Sequence, residues 1–257
     1  KSLEYYTEKF RVESSGGANI IDDNNIGILK NILSKCNSIK HINLSETKVT
    51  PNNLIAIAKL CPKLESIDLS FTNFLGITKE EMEEFAKTIG PQLIKCHSKY
   101  YIYDDIFLKI LFKHFKNIGE MNFSSGPTTS CKGLFHQLNR NCKSLKVLKF
   151  STSYIHSIDY EDEDIKNVLQ RIEHLTIDLA TFSRFKFEMN NLKELTLKEY
   201  EVRGLIQMER KTFNNLIKLN VKSFSSLAYD SISKLNFPKL ETVLLLKHHV
   251  DIPISFI

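Results

Sequence analysis

The chain lacks any apolar run long enough to cross a bilayer, and its start shows no signal-peptide architecture. It has no CxxC pair, and its cysteines (Cys36, Cys61, Cys96, Cys131, Cys142) are odd in number. Three of them fall at one repeated position, which a disulfide framework would not produce, so reduced thiols and an intracellular setting, cytoplasmic or nuclear, are expected. No GxSxG elbow, Walker loop, GxGxxG fingerprint or HExxH helix occurs. A strong excess of one charge is missing too: 35 Lys and Arg against 30 Asp and Glu leave +5 on 257 residues, too little to announce nucleic acid. The expectation is a non-enzymatic protein with no catalytic residues, no metal site and no cofactor. The numbering opens on Lys1, and an upstream piece is expected to precede it.

What is present is a repeat. "CNSIKHINLS" (Cys36 to Ser45) and "CPKLESIDLS" (Cys61 to Ser70) carry nearly the same pattern 25 residues apart. Apolar triplets spaced i, i+3, i+5 recur as Ile39/Ile42/Leu44, Leu64/Ile67/Leu69, Leu93/Cys96/Ser98, Ile118/Met121/Phe123 and Leu145/Leu148/Phe150. They continue as Ile172/Leu175/Ile177, Leu192/Leu195/Leu197, Leu216/Leu219/Val221 and Leu240/Val243/Leu245, with first members 20 to 29 residues apart. Only the third copy is weak, ending on a serine. Between triplets of the first half lie helical faces at i, i+3, i+4, i+7: Leu29/Ile32/Leu33/Cys36, Leu54/Ile57/Ala58/Cys61, Met82/Phe85/Ala86/Ile89 and Leu108/Leu111/Phe112/Phe115. Thr50 before Pro51, and Thr78 with Glu81, mark helix starts. From about residue 180 this helical register fades, and shorter or irregular segments are expected.

Strand-plus-helix units that cannot cover their own apolar side must stack. The fold expected is an α/β solenoid of about nine repeats, with a curved parallel sheet on the concave side and helices on the convex side. The residue three before each triplet is Cys36, Cys61, Gly90, Phe115, Cys142, Leu169, Met189, Phe213 and Phe237. Eight of the nine are apolar or cysteine, so this is a core corner at which cysteine acts as a small hydrophobe.

These features resemble a leucine-rich-repeat protein of the cysteine-containing subclass, in particular the repeat region of F-box/leucine-rich-repeat proteins. The resemblance lies in "VTPNNLIAIAKLCPKLESIDLSFTNFLGIT" (Val49 to Thr78), with "GILKNILSKCNSIKHINLSETKVT" before it and "NRNCKSLKVLKF" after. The family usually has a second cysteine or an asparagine just past the strand, where this chain has Thr47 and Thr72. The resemblance implies residues 1–19 as an N-terminal partial repeat or cap, 20–246 as the repeat domain and 247–257 as a C-terminal cap or tail. It also implies a substrate receptor of a cullin-type ubiquitin ligase, whose F-box, docking on the ligase adaptor, would lie in a segment outside this chain. The alternative is a structural subunit or assembly factor of a larger complex.

Residues between triplet members face away from the core. Those expected to meet a protein partner on the concave face are His41, Asn43, Ser66, Asp68, His97, Lys99, Glu120, Asn122, Lys149, His174, Asp178, Glu194, Lys198, Lys218 and Lys222. The surface is polar, mixed in charge and more basic toward its end. Leu244 and Leu246 break the polar pattern, which suggests a terminal surface covered by "HHVDIPISFI" or by a partner. His248 and His249 are adjacent on a strand and so point apart, which fits an edge or cap rather than a metal. The acidic run "DYEDED", Asp159 to Asp164, reads as a solvated loop with acids at the next helix start.

Overall fold

The computed structural model describes residues 9–11, 19–21, 26–36, 38–74, 76–98, 105–124, 131–151, 160–198, 209–222 and 232–246. The chain divides into two compact units, Lys1–Leu145 and Lys146–Ile257.

In the first unit the elements follow as β1 (Lys9–Arg11), β2 (Asn19–Ile21), α1 (Ile26–Ser34), β3 (His41–Asn43), β4 (Thr47–Val49), α2 (Pro51–Leu60) and β5 (Ser66–Asp68). Next come β6 (Asn73–Phe74), α3 (Lys79–Ile89), β7 (Lys95–Ser98), α4 (Asp105–His114), β8 (Glu120–Ser124) and α5 (Cys131–Asn141). Strands β1, β3, β5, β7 and β8 pair in parallel in that order, with Ile42, Ile67, Cys96 and Met121 in one register row. Equivalent triplet positions therefore stack rung on rung. The short strands β2, β4 and β6 pair in parallel beyond the main strands, a second small sheet that the apolar pattern does not reveal.

The first five triplets are buried throughout, Ser98 of the weak third copy included. Burying a Leu, Ile or Phe side chain is worth about 1.5–3 kcal/mol, so each rung contributes only when its neighbours cover it. The helix faces read from sequence are buried on α2, α3 and α4. On α1 the face is shifted: Ile26, Leu29 and Leu33 are buried, whereas Ile32 is 44% exposed and Cys36 half-buried. Thr78 and Glu81 form the expected capping box, while Thr50 supplies the extended backbone before Pro51 without a side-chain cap bond.

Gly90 is the exception in the corner row, and its reason is steric. A Cβ there would stand 2.5 Å from the Ala86 carbonyl oxygen and 2.7 Å from that of His114.

In the second unit the order is β9 (Val147–Ser151), α6 (Glu163–Arg171), β10 (His174–Asp178), α7 (Leu179–Phe182), β11 (Glu194–Lys198), β12 (Lys211–Thr212), β13 (Lys218–Lys222), β14 (Leu235–Asn236) and β15 (Thr242–Leu246). Strands β9, β10, β11, β13 and β15 pair in parallel in that order. Asp162 of the acidic run accepts hydrogen bonds from the Asp164 and Ile165 amides and caps α6. Among the described residues α7 is a single turn, and β12 pairs with β14. Phenylalanines pack against one another there. Phe213 stacks on Phe182 and on Phe237 with ring centroids 5.8 Å apart in both pairs.

The ninth triplet departs from expectation. Leu240 is half-buried, but Val243 and Leu245 are 50% and 49% exposed. Among the described residues β15 pairs only with β13, so its apolar side meets no following rung. The tail "HHVDIPISFI" lies outside the described residues.

Candidate functional site

The alternation along each strand leaves one sheet face turned away from the helices. In the first unit this face carries two register rows, His41–Ser66–Lys95–Glu120 and Asn43–Asp68–His97–Asn122. All eight are half-buried or exposed. Two of the expected partner-contacting residues already have a local task. The Asn43 side-chain oxygen accepts from the Ser45 amide at 2.8 Å, and Asp68 does the same for Ser70 at 2.9 Å. These Asx turns end the strands, and the chain then passes through left-handed residues Glu46 and Phe71 with φ of 62° and 58°.

His97 lies between two carboxylates. Its Nδ1 is 3.8 Å from Asp68 and its Nε2 is 3.6 Å from Glu120, which also meets Lys95 at 3.1 Å. Burial alone would raise the Asp68 carboxyl, but His97 and Ser70 outweigh it and hold the group below the usual carboxylate range.

In the second unit the rows are Val147–His174–Glu194–Lys218, Lys149–Thr176–Thr196–Asn220 and Asp178–Lys198–Lys222. Glu194 is shared by His174 at 3.4 Å and Lys218 at 3.8 Å. The Asn220 amide nitrogen donates to the Thr196 hydroxyl at 3.2 Å. A recess of about 240 Å³ opens among these strands, lined by Lys149, His174, Thr176, Glu194 and Thr196 with Val147 and Leu175. Asp178 is 6% exposed, so it belongs to the strand's buried end and not to the open face. Lys99 lies outside the described residues.

A neighbouring charge ladder is absent from the sequence reading. Lys40 meets Glu65 at 3.3 Å, and Glu173 bridges Lys193 at 2.6 Å and Lys146 at 3.1 Å. The hydrogen bonds from Lys193 and then Lys146 hold Glu173 below its ordinary value. The signal was available one residue after a triplet begins, as Lys40, Glu65, Lys146, Glu173, Lys193 and Glu241, with Ile94, Gly119 and Ile217 interrupting it. One residue before their triplets begin, in the same helix-to-strand turn, side-chain amides of Asn117, Asn191 and Asn215 donate to the carbonyl oxygens of Pro91, Gln170 and Asn190, all in the preceding rung.

Cys61 and Cys142 are buried in the corner row, Cys36 is only half-buried there, and Cys96 is buried on a strand. Burial, with a smaller contribution from Cys36, pushes the Cys61 thiol up to about 11. Burial, with Asp68 and Cys142 adding, pushes Cys96 up to about 12. The Cys142 thiol donates to the Phe115 carbonyl oxygen at 3.2 Å. Thiols held protonated in this way are poor nucleophiles and poor metal ligands. Among the described residues no three His, Cys, Asp or Glu side chains gather as a metal site, and no helix is long and apolar enough to cross a membrane.

No protein-family model and no curated protein matches the chain. Solved structures do. The leucine-rich-repeat-containing protein LegL7 from Legionella pneumophila is similar over 96% of this chain and 95% of its own, with a TM-score of 0.61 at 14% identity. In the Rad7 and Elc1 complex from yeast the matching chain is similar over 88% of this chain and 68% of its own, with a TM-score of 0.50 at 16% identity. Register, periodic core and these similarities agree that the chain has the leucine-rich-repeat fold, a parallel-sheet solenoid of about nine repeats.

Proposed function

We propose that the chain is a non-enzymatic recognition module that holds a protein partner against the sheet face turned away from its helices. The observation that carries this reading is the alternation itself: along β3, β5, β10 and β11 every second residue is buried, and the residues between them form polar rows open to a partner. His41, Asn43, Ser66, Asp68, His97, Glu120 and Asn122 would serve in the first unit. In the second, Lys149, His174, Glu194, Lys198, Lys218 and Lys222 would. Support also comes from the yeast structure, in which Rad7 is in complex with Elc1. The finer reading, a substrate receptor of a ubiquitin ligase working through an F-box outside this chain, rests on the cysteine-containing repeats "CNSIKHINLS" and "CPKLESIDLS".

A photocrosslinking amino acid placed at Thr196 on the sheet face, or at exposed Lys109 on α4, tests the reading in cells. Partner crosslinks from Thr196 and none from Lys109 are expected. The reverse pattern would overturn it.

A further inference from the structure

We infer that the last strand, β15, is a docking edge for a second copy of this chain, the two strands pairing antiparallel about a two-fold axis at Leu244. This surface is the end of the sheet and is separate from the polar rows.

The two edges of the strand order are built differently. β1, at one end, carries Lys9 and Arg11 around Phe10. Charges of this kind keep an edge from pairing with another chain. β15, at the other end, reads Thr-Val-Leu-Leu-Leu from Thr242 to Leu246, with no charge, proline or glycine. Among the described residues it pairs only with β13, which leaves one side of its backbone to donate and accept. Val243, Leu244, Leu245 and Leu246 are 50%, 47%, 49% and 54% exposed. Both faces of the strand are thus open and apolar, whereas the outward positions of β13 are Lys218, Asn220 and Lys222. Apolar residues on both faces belong to a strand covered on both, and a strand laid along the edge of β15 covers both.

The occupant follows from the sequence of the strand. Antiparallel pairing about Leu244 sets Thr242 opposite the partner's Leu246, Val243 opposite the partner's Leu245, and Leu244 opposite the partner's Leu244. Every such pair joins side chains on one face, and none sets a charge against an apolar group. Glu241 and Lys247 flank the strand at equal distance from Leu244, so the same register brings opposite charges together at each end. The strand is complementary to itself, as a closed two-fold contact requires. Docking on β1 of another copy would instead set the leucines against Lys9 and Arg11.

One strand a side is small beside the roughly 20–30 residues a side of a standard interface. The dimer is therefore expected to dissociate on dilution rather than to be permanent.

The test is sedimentation velocity of the full chain over a dilution series. The wild type should shift from monomer to dimer with rising concentration and go no further, since a two-fold contact closes. Leu244→Lys should lose the dimer, because two ammonium groups then meet on the axis, while its circular dichroism stays that of wild type. Ile28→Lys, at an exposed position of α1, should leave the dimer unchanged. A covalent readout does not depend on those variants. Leu244→Cys should link to itself on mild oxidation with copper phenanthroline, since facing Cα atoms lie about 4.5–5.5 Å apart, within the roughly 4.4–6.8 Å that a disulfide spans. Thr242→Cys, which faces the partner's Leu246, should not link, nor should the wild type. A wild type that stays monomeric at every concentration, as when the tail or a different protein covers β15, would overturn the inference. So would growth beyond a dimer, equal loss in Ile28→Lys, or equal cross-linking of Thr242→Cys. Photocrosslinking from Thr196 bears on the recognition reading alone.

Discussion

The hydroxyls of Thr47 and Thr72 converge on a single acceptor, the carbonyl oxygen of Leu44, at 2.7 Å each. Both threonines are buried, 2% and 1% exposed, and they come from successive rungs. They occupy the place just past the strand where the resembling family has cysteine or asparagine. Thr47 closes its own rung, and Thr72 ties its rung to the preceding one.

Either Thr47→Val or Thr72→Val should lower unfolding free energy by about 1 kcal/mol, since the remaining hydroxyl still serves Leu44. The double variant should lose more than the sum, because the buried carbonyl then has neither hydroxyl. Urea unfolding of the four-member cycle measures this coupling. Strict additivity would show that the shared acceptor is immaterial.

Gly90→Ala should destabilise by about 1–3 kcal/mol, as overpacking does in a filled interior. The added Cβ meets backbone oxygens of Ala86 and His114, not a flexible side chain that could move aside. A thermal melt equal to wild type would contradict the packing described at this corner.

Asp68 makes stability dependent on acid. Its carboxyl is depressed in the folded protein relative to the unfolded chain. Its contribution is therefore present above the unfolded value, near pH 4, and is lost as pH falls through the folded value. Asn43 performs the same turn-closing task one rung earlier, so Asp68→Asn should keep the fold at neutral pH. The wild-type advantage over Asp68→Asn should shrink steadily below about pH 4. Parallel stability curves for the two proteins in acid would refute the assignment.

The buried thiols should resist alkylation. With iodoacetamide at mildly alkaline pH, Cys61, Cys96 and Cys142 should stay unlabelled in the native protein, Cys36 should react, and denaturant should expose them all. Peptide mass spectrometry reads the result directly. Labelling of native Cys96 would contradict its place in the core.

Most of the fold was legible because the triplets report local alternation at a steady period, and even Ser98 kept its buried place. Features that depend on a neighbour were hidden. Leu245 has the same sequence pattern as Leu197, yet one is 49% exposed and the other fully buried, because burial of a rung is set by what stacks on it. The α1 face slipped since Ile28 and Ile32 are as apolar as Ile26 and Leu29, and only packing against α2 chooses between them. The stack of Phe182, Phe213 and Phe237 has no 3.6-residue period to announce it. The alternation showed which side of each strand is polar, but not that Asp178 is buried at a strand's end, nor how the polar residues pair. Which lysine meets which glutamate depends on the register between strands about 25 residues apart.

One pair of variants probes the alternation most directly. Leu148 is fully buried, and Lys149, the next residue, lies on the outer face. Leu148→Asp should abolish cooperative unfolding at ordinary temperature by burying an unpaired charge, while Lys149→Asp should melt within a few degrees of wild type. Equal melting of the two variants would mean that no face of this sheet is set aside for a partner.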